Sequence, residues 1–264
     1  MSSAGPLLRE WRQRRRLSQL ELALEAEVSA RHLSFVETGR SAPSREMVLH
    51  LAEHLAIPLR ERNALLIAAG YAPVFPERAL DDPALAAARK AVDLVLAGHE
   101  PFPAIAVDRH WTLVAANAAA GAFLVVEDPS LLQPPLNVLR VSLHPKGVAP
   151  RIANLAEWRA HILDRLRRQI DASGDPVLIA LLEELRAYPA PPAKETRDYG
   201  GVLVPLEIMT EHGTCSFFST TTIFGTPVDV TLSELAVEAF YPADEKTAAL
   251  LSSSVPRSSS ESLG

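Results

Sequence analysis

Residues 18–40, SQLELALEAEVSARHLSFVETGR, read as two short helices joined by a tight turn. Ser18 can accept hydrogen bonds from the free amides at a helix start. Glu21, three residues on, completes a capping box ahead of Leu20, Leu22 and Ala23. The first helix therefore begins near Gln19. Ser29 is a second capping residue, after which Leu33 and Val36 recur at helical spacing while Arg31, His32, Ser34 and Phe35 point elsewhere. This second helix runs to about Thr38, where Gly39 ends it, because the left-handed conformation that closes a helix is free of steric cost only for glycine. Two such helices with a basic, polar second member form a helix-turn-helix, and the pattern points to DNA.

The first turns of such a second helix meet base edges in the major groove. Ala30, Arg31, Ser34 and Phe35 hold those positions. Arg31 is the candidate for specificity, since a guanidinium can bond both O6 and N7 of guanine, worth about 1–3 kcal/mol of discrimination. Ala30 and Phe35 offer contact to a thymine methyl. The alternatives are that Arg31 meets a phosphate and that Phe35 packs into the core. Phosphate contacts, which set register without reading sequence, fall to Gln19, Thr38, Arg40 and Arg45. Arg14, Arg15 and Arg16 extend that face or complement the dipole of the helix that they end.

Working outward, residues 6–16 are amphipathic through Leu7, Leu8 and Trp11, Ser44 caps a fourth helix, and Pro58 starts a fifth that runs to Gly70. Residues 1–75 thus form an all-α five-helix DNA-binding domain. Residues 71–83, YAPVFPERALDDP, have the proline-rich, polar composition of a linker or hinge. The charge divides at the same place: residues 1–80 hold 11 Lys and Arg against 9 Asp and Glu, whereas the whole chain is at −6, so the remainder is strongly acidic. Such a chain is a poor nonspecific binder of nucleic acid, but a local cationic face still engages the backbone.

Beyond residues 76–97, read as a linker and connecting helix, there is length for one more domain, over residues 98–251. Residues 104–107 and 111–115 read as two strands around a turn at Asp108, Arg109 and His110, and Asn117 caps a helix over 118–124. A hairpin followed by a helix is how PAS domains begin. Residues 156–170 and 176–187 are amphipathic helices, whereas 202–209, 215–224 and 227–242 supply strands, giving an antiparallel sheet with helices on one face. Asn154 is read as a cap. Residues 252–264 are low-complexity and polar, as in a disordered tail.

Two family resemblances follow. SQxELAxxAxVSxxxLSxxExGR resembles the Cro/C1 repressor (XRE) helix-turn-helix family. That resemblance implies a structural ion pair between Arg12 on the first helix and Glu37 at the end of the recognition helix. RHLSFVETGRSAPS, ERNALLIAAGYAP, LHPKG, NLAEWRAHIL and FGTPVDVTLSELAVEAFYPAD, in that order, resemble the MmyB-like transcription regulators. This second resemblance covers nearly the whole chain and implies a PAS-like ligand-binding domain with an apolar cavity, for which a fatty acid or similar lipid is a plausible occupant. The residues themselves supply a candidate pocket lining in Leu136, Leu139, Phe217, Phe218 and Phe224, with Arg140 or His144 as the group for an acyl carboxylate. Each Phe could equally be ordinary core, and His144, before Pro145 and Gly147, a turn residue.

Other function classes find less support. There is no phosphate-cradling Gly-rich loop, GxSxG elbow or HExxH helix, so no enzyme is expected. The single Cys215, without Cys or His at ligand spacing, gives no reason to expect a metal or a disulfide. With no long apolar run and no basic-then-apolar start, a cytoplasmic location without a membrane is expected. The expected partners are a double-stranded DNA operator and a second copy of the chain, since one recognition helix covers only a few base pairs. The competing reading is a regulator whose second domain only dimerises or binds a protein.

Overall fold

The computed structural model describes residues 4–121, 123–189 and 204–254. The chain separates into two compact units, the first holding residues 1–82 with 171–173 and 224–234, the second 83–170, 174–223 and 235–264.

Five helices open the first unit: α1 (Ala4–Arg14), α2 (Gln19–Glu25), α3 (Ala30–Glu37), α4 (Arg45–His54) and α5 (Leu59–Ala68). Their ends follow from local chemistry. The hydroxyls of Ser18, Ser29 and Ser44 each accept the backbone N–H three residues on, and Glu21 reaches back to the Ser18 amide to complete a capping box. Past α3, Gly39 takes φ 72° and the Arg40 amide donates to the Phe35 carbonyl at 2.8 Å, which turns the chain away. Each helix sends one apolar stripe inward, so Leu8, Leu22, Leu33, Leu51 and Leu66 meet in a single buried core.

The stretch expected as a linker is pinned at its start. The Asn63 carboxamide accepts from the amides of Val74 and Phe75 and donates to the Phe75 carbonyl. Residues 224–234 complete this unit: Glu234 takes Arg60 through two nitrogens (2.8 and 2.9 Å), Asp229 takes Arg78 (2.8 Å), and the Val230 amide donates to the Pro76 carbonyl.

The second unit begins with α6 (Ala86–Gly98), then β1 (Ala104–Val107), β2 (Leu113–Ala116), the single turn α7 (Ala118–Gly121), α8 (Val138–Leu143), α9 (Leu155–Ser173) and α10 (Pro176–Ala187). There follow β3 (Leu206–Thr210), β4 (Gly213–Ile223), α11 (Val230–Ser233), β5 (Ala236–Pro242) and α12 (Glu245–Ser254), with α11 and the end of α9 belonging to the first unit. The five strands pair antiparallel in the order β2-β1-β5-β4-β3. This is the antiparallel sheet with flanking helices of a PAS-like domain, and the chain as a whole is α+β.

Four local expectations change. Helices lie on both faces of the sheet: Ile105 lines the cavity described below, whereas its neighbours Ala104 and Ala106 point to the opposite face, where α6 lies against β1 and β5. Residues 227–242 are not one strand, because the Asp229 side chain accepts from the Thr231 amide (2.9 Å) and starts α11, leaving only β5 extended. The helix after Asn117 ends at Gly121 after one turn. Asn154 makes no side-chain cap to α9; its carboxamide instead donates to the Pro205 carbonyl and accepts from the Glu207 amide, tying the start of α9 to β3. Of the expected tail, residues 252–254 fall at the end of α12 and 255–264 lie outside the described residues.

Candidate functional site

The outward face of α3 is built by its cap. With Ser29 fixing the first turn, Arg31 is exposed and Ala30, Ser34 and Phe35 are half-buried along one side. The Arg31 guanidinium lies 5.4 Å from the Phe35 ring centroid and that of Arg40 5.9 Å from it, so this one aromatic ring carries a cation contributed from each end of the helix. Arg31, Arg40 and Arg45 are exposed and have no ion-pair partner among the described residues. Three cations without a carboxylate partner leave their full charge for an anionic duplex.

The neighbouring basic run divides differently. Arg15 turns away and donates to the Leu55 and Ala56 carbonyls (2.8 and 3.0 Å), capping the carboxyl end of α4, while Arg14 pairs with Glu10. The Thr38 hydroxyl donates back to the Ser34 carbonyl (2.7 Å). Gln19 donates to the Glu37 carboxylate (2.8 Å), so its side chain supports the scaffold.

Beneath this face Arg12 and Glu37 form a bidentate pair at 2.7 and 2.9 Å, both side chains buried, with a third Arg12 nitrogen on the Leu17 carbonyl. Burial by itself would raise the Glu37 carboxyl, but hydrogen bonds from Arg12 and Gln19 and the charge of Arg12 hold it below the usual carboxylate range. The pair fixes the end of α3 against α1 and therefore the angle at which α3 is presented.

In the second unit an apolar cavity of about 140 Å³ lies between the sheet and the helices α8 and α9. Strand alternation explains its wall: Ile105, Phe217, Ser219, Glu238 and Phe240 share the face turned to the helices, and Leu139, Val141, Trp158 and Ile162 close it from above. The LHPKG turn holds α8 in place. A side chain on Gly147 would come within 2.2 Å of the Val141 carbonyl, and the Lys146 amide donates to the His144 ring at 3.1 Å.

One end of the cavity is polar. Arg165 grips Glu238 at 2.5 and 2.9 Å, donates to the Thr221 hydroxyl at 2.8 Å and lays its face 4.5 Å from the Trp111 ring centroid. Thr221 in turn donates to Glu238 at 2.8 Å. Beside them stand Ser219 and His161, whose ring stacks on Trp158. The Ser142 hydroxyl, also at the wall, accepts from Trp158.

Of the lining candidates, Leu136, Leu139 and Phe217 face the cavity. Phe218, one residue out of phase on β4, stacks on Tyr241, and Phe224 falls in the segment that belongs to the first unit. Arg140 lies outside the lining, paired with Glu184 at 2.6 and 2.8 Å, and His144 packs against Tyr188 in its turn. The cation at the cavity wall is Arg165 instead. Its partner Glu238 carries a readable signal, a single carboxylate within the otherwise apolar strand AVEAF. His161 is noticeable in sequence only as part of a charged helix face.

Among the described residues no helix is long and apolar enough to cross a membrane, and no group of His, Cys, Asp and Glu is gathered as for a metal. No curated protein matches the chain. A solved structure of an RNA-binding light-oxygen-voltage receptor is similar at 14% identity and a TM-score of 0.24. That match covers 96% of this chain but 64% of the receptor's length, and at that score it bears on neither fold nor function. Residues 8–62 match the helix-turn-helix family model and residues 88–253 that of the MmyB-like transcription regulator ligand binding domain. The chain therefore belongs to the MmyB-like transcription regulators, DNA-binding proteins with a ligand-binding domain.

Proposed function

We propose that the protein is a one-component regulator that acts as a homodimer on a roughly palindromic operator, with a small apolar molecule in the cavity altering its affinity for DNA. The observation that carries this reading is the presence, in one chain, of a recognition helix edged by unpaired arginines and of an apolar cavity with one polar end. Arg31 reads a base, with Ala30 and Ser34 beside it, and Arg40 and Arg45 hold phosphates. The small apolar molecule, for which the family resemblance suggests a fatty acid or similar lipid as one candidate, would lie against Leu136, Leu139 and Phe217.

The path of the chain supports modulation. It leaves β4, contributes residues 224–234 to the first unit, and returns as β5, and both strands line the cavity. A ligand that favours one arrangement of these strands shifts the population able to bind DNA. A second reading, in which the second unit only joins two copies or meets another protein, draws on α6, where Leu94 and Val95 are 64% and 46% exposed.

Native mass spectrometry of the freshly purified full-length protein, alone and with DNA selected from a random pool, tests the proposal. A dimer on a two-half-site duplex, carrying or accepting a small molecule, is the expected result. A dimer that takes up no ligand from an extract of its host supports the second reading, and a monomer without sequence preference contradicts both.

A further inference from the structure

We propose that the cavity is built for a small neutral amphiphile, an apolar body bearing a hydroxyl, carbonyl or amide, and that it discriminates against the ionised carboxylic acid of the same size. This inference rests on the ligand-binding reading above and names the ligand class of that site.

The charge at the polar end is already balanced. Arg165 is the guanidinium at the cavity wall, and both of its terminal nitrogens hold Glu238 while its face covers Trp111. The Glu238 side chain is 3% exposed and takes a further hydrogen bond from Thr221. An incoming carboxylate would have to share the single Arg165 cation with Glu238, two anions on one charge beside apolar walls, which is unfavourable. Apart from the Arg165 Nε–H, whose charge Glu238 balances, the groups that remain unengaged there are neutral. Among the described residues, no hydrogen bond occupies the Ser219 hydroxyl or either ring nitrogen of His161. Burial, with Arg165 and Arg168 close by, keeps the His161 imidazole below its ordinary range, so near neutral pH it presents one donor and one acceptor and no charge. A hydroxyl or carbonyl satisfies such a pair, whereas a carboxylate gains no counter-charge from it.

The size of the cavity limits the body. At about 140 Å³ it is close to the dry cavity of about 150 Å³ that accepts benzene, so the fit is to roughly six to eight non-hydrogen atoms against Leu113, Phe123, Leu136 and Phe217.

The test is isothermal titration of the full-length protein at pH 7.5 with 1-hexanol and with hexanoate, which share a chain length and differ at the polar end. Saturable hexanol binding, at least about tenfold tighter than that of hexanoate, is expected. Ser219→Ala should weaken hexanol about fivefold, the loss of one hydrogen bond, and Leu139→Trp, which fills the cavity, should abolish binding. Glu238→Gln frees the Arg165 charge and should tighten hexanoate about tenfold. Should that variant fail to fold, the comparison of the two compounds on the unaltered protein still decides. Hexanoate binding as tightly as hexanol overturns this inference and leaves the ligand cavity standing. Failure of both compounds to bind, or hexanol binding unchanged by Leu139→Trp, overturns the cavity reading as well.

Discussion

Two of the bidentate Arg–Glu pairs among the described residues, Arg12–Glu37 and Arg165–Glu238, look alike in chemistry and differ in surroundings. Arg12 and Glu37 are 9% and 1% exposed at their side chains and are closed in by Gln19 and the Leu17 carbonyl, in a unit packed around them. Arg165 and Glu238 are 28% and 3% exposed and border a cavity whose other polar groups have hydrogen-bonding capacity to spare. A pair with all three guanidinium nitrogens and both carboxylate oxygens engaged by its own fold holds two helices together. A similar pair at a cavity wall, by the inference above, sets which ligand charge that cavity accepts.

The widest gap should appear in stability. Glu37→Ala strands a buried guanidinium and should cost about 3–5 kcal/mol in urea unfolding of the first unit. Arg165→Ala leaves Glu238 its hydrogen bond from Thr221 and an adjoining cavity in place of close packing, and should cost roughly 1–3 kcal/mol. Equal losses would dissolve the distinction. The same pair sets an acid limit. Because the folded Glu37 carboxyl sits below its unfolded value, its contribution is complete above about pH 4.3 and is lost as pH falls through the lowered folded value. Unfolding midpoints measured from pH 7 down to pH 3 should therefore decline less steeply in Glu37→Gln than in the unaltered protein.

Smaller effects sharpen the contrast on the DNA side. Arg31→Ala should cost about 1–3 kcal/mol on the preferred operator and relax preference at one base-pair position, read from binding to a set of single-position operator variants. Arg40→Ala should weaken all sequences alike and reduce the slope of log affinity against log salt by about 0.9. Indistinguishable profiles for these two variants would mean that the register of α3 on the groove is misassigned.

The first unit was legible nearly to the residue because its signals are local: a serine three residues before the amide it caps, an apolar stripe at helical spacing, a glycine at the stop. In the second unit the long amphipathic helices and most strands were equally plain. The cavity wall was not, since it depends on which residues of separate strands share a face. Phe217 and Phe218 are adjacent and identical in type, yet strand register turns one into the cavity and the other onto Tyr241. Arg140 and Arg165 were equally basic helix residues, and only the fold gives the first to Glu184 and the second to Glu238. Residues 224–234 follow a strand in sequence but complete the first unit, which no local pattern announces.

The most direct test of the account is the affinity of the full-length protein for its selected operator, measured by fluorescence anisotropy at fixed salt with and without saturating 1-hexanol. A change of at least about fivefold, absent in Leu139→Trp, is the predicted result and corresponds to a coupling of about 1 kcal/mol. An operator affinity that the compound leaves unchanged while it fills the cavity would contradict the claim that this cavity governs DNA binding.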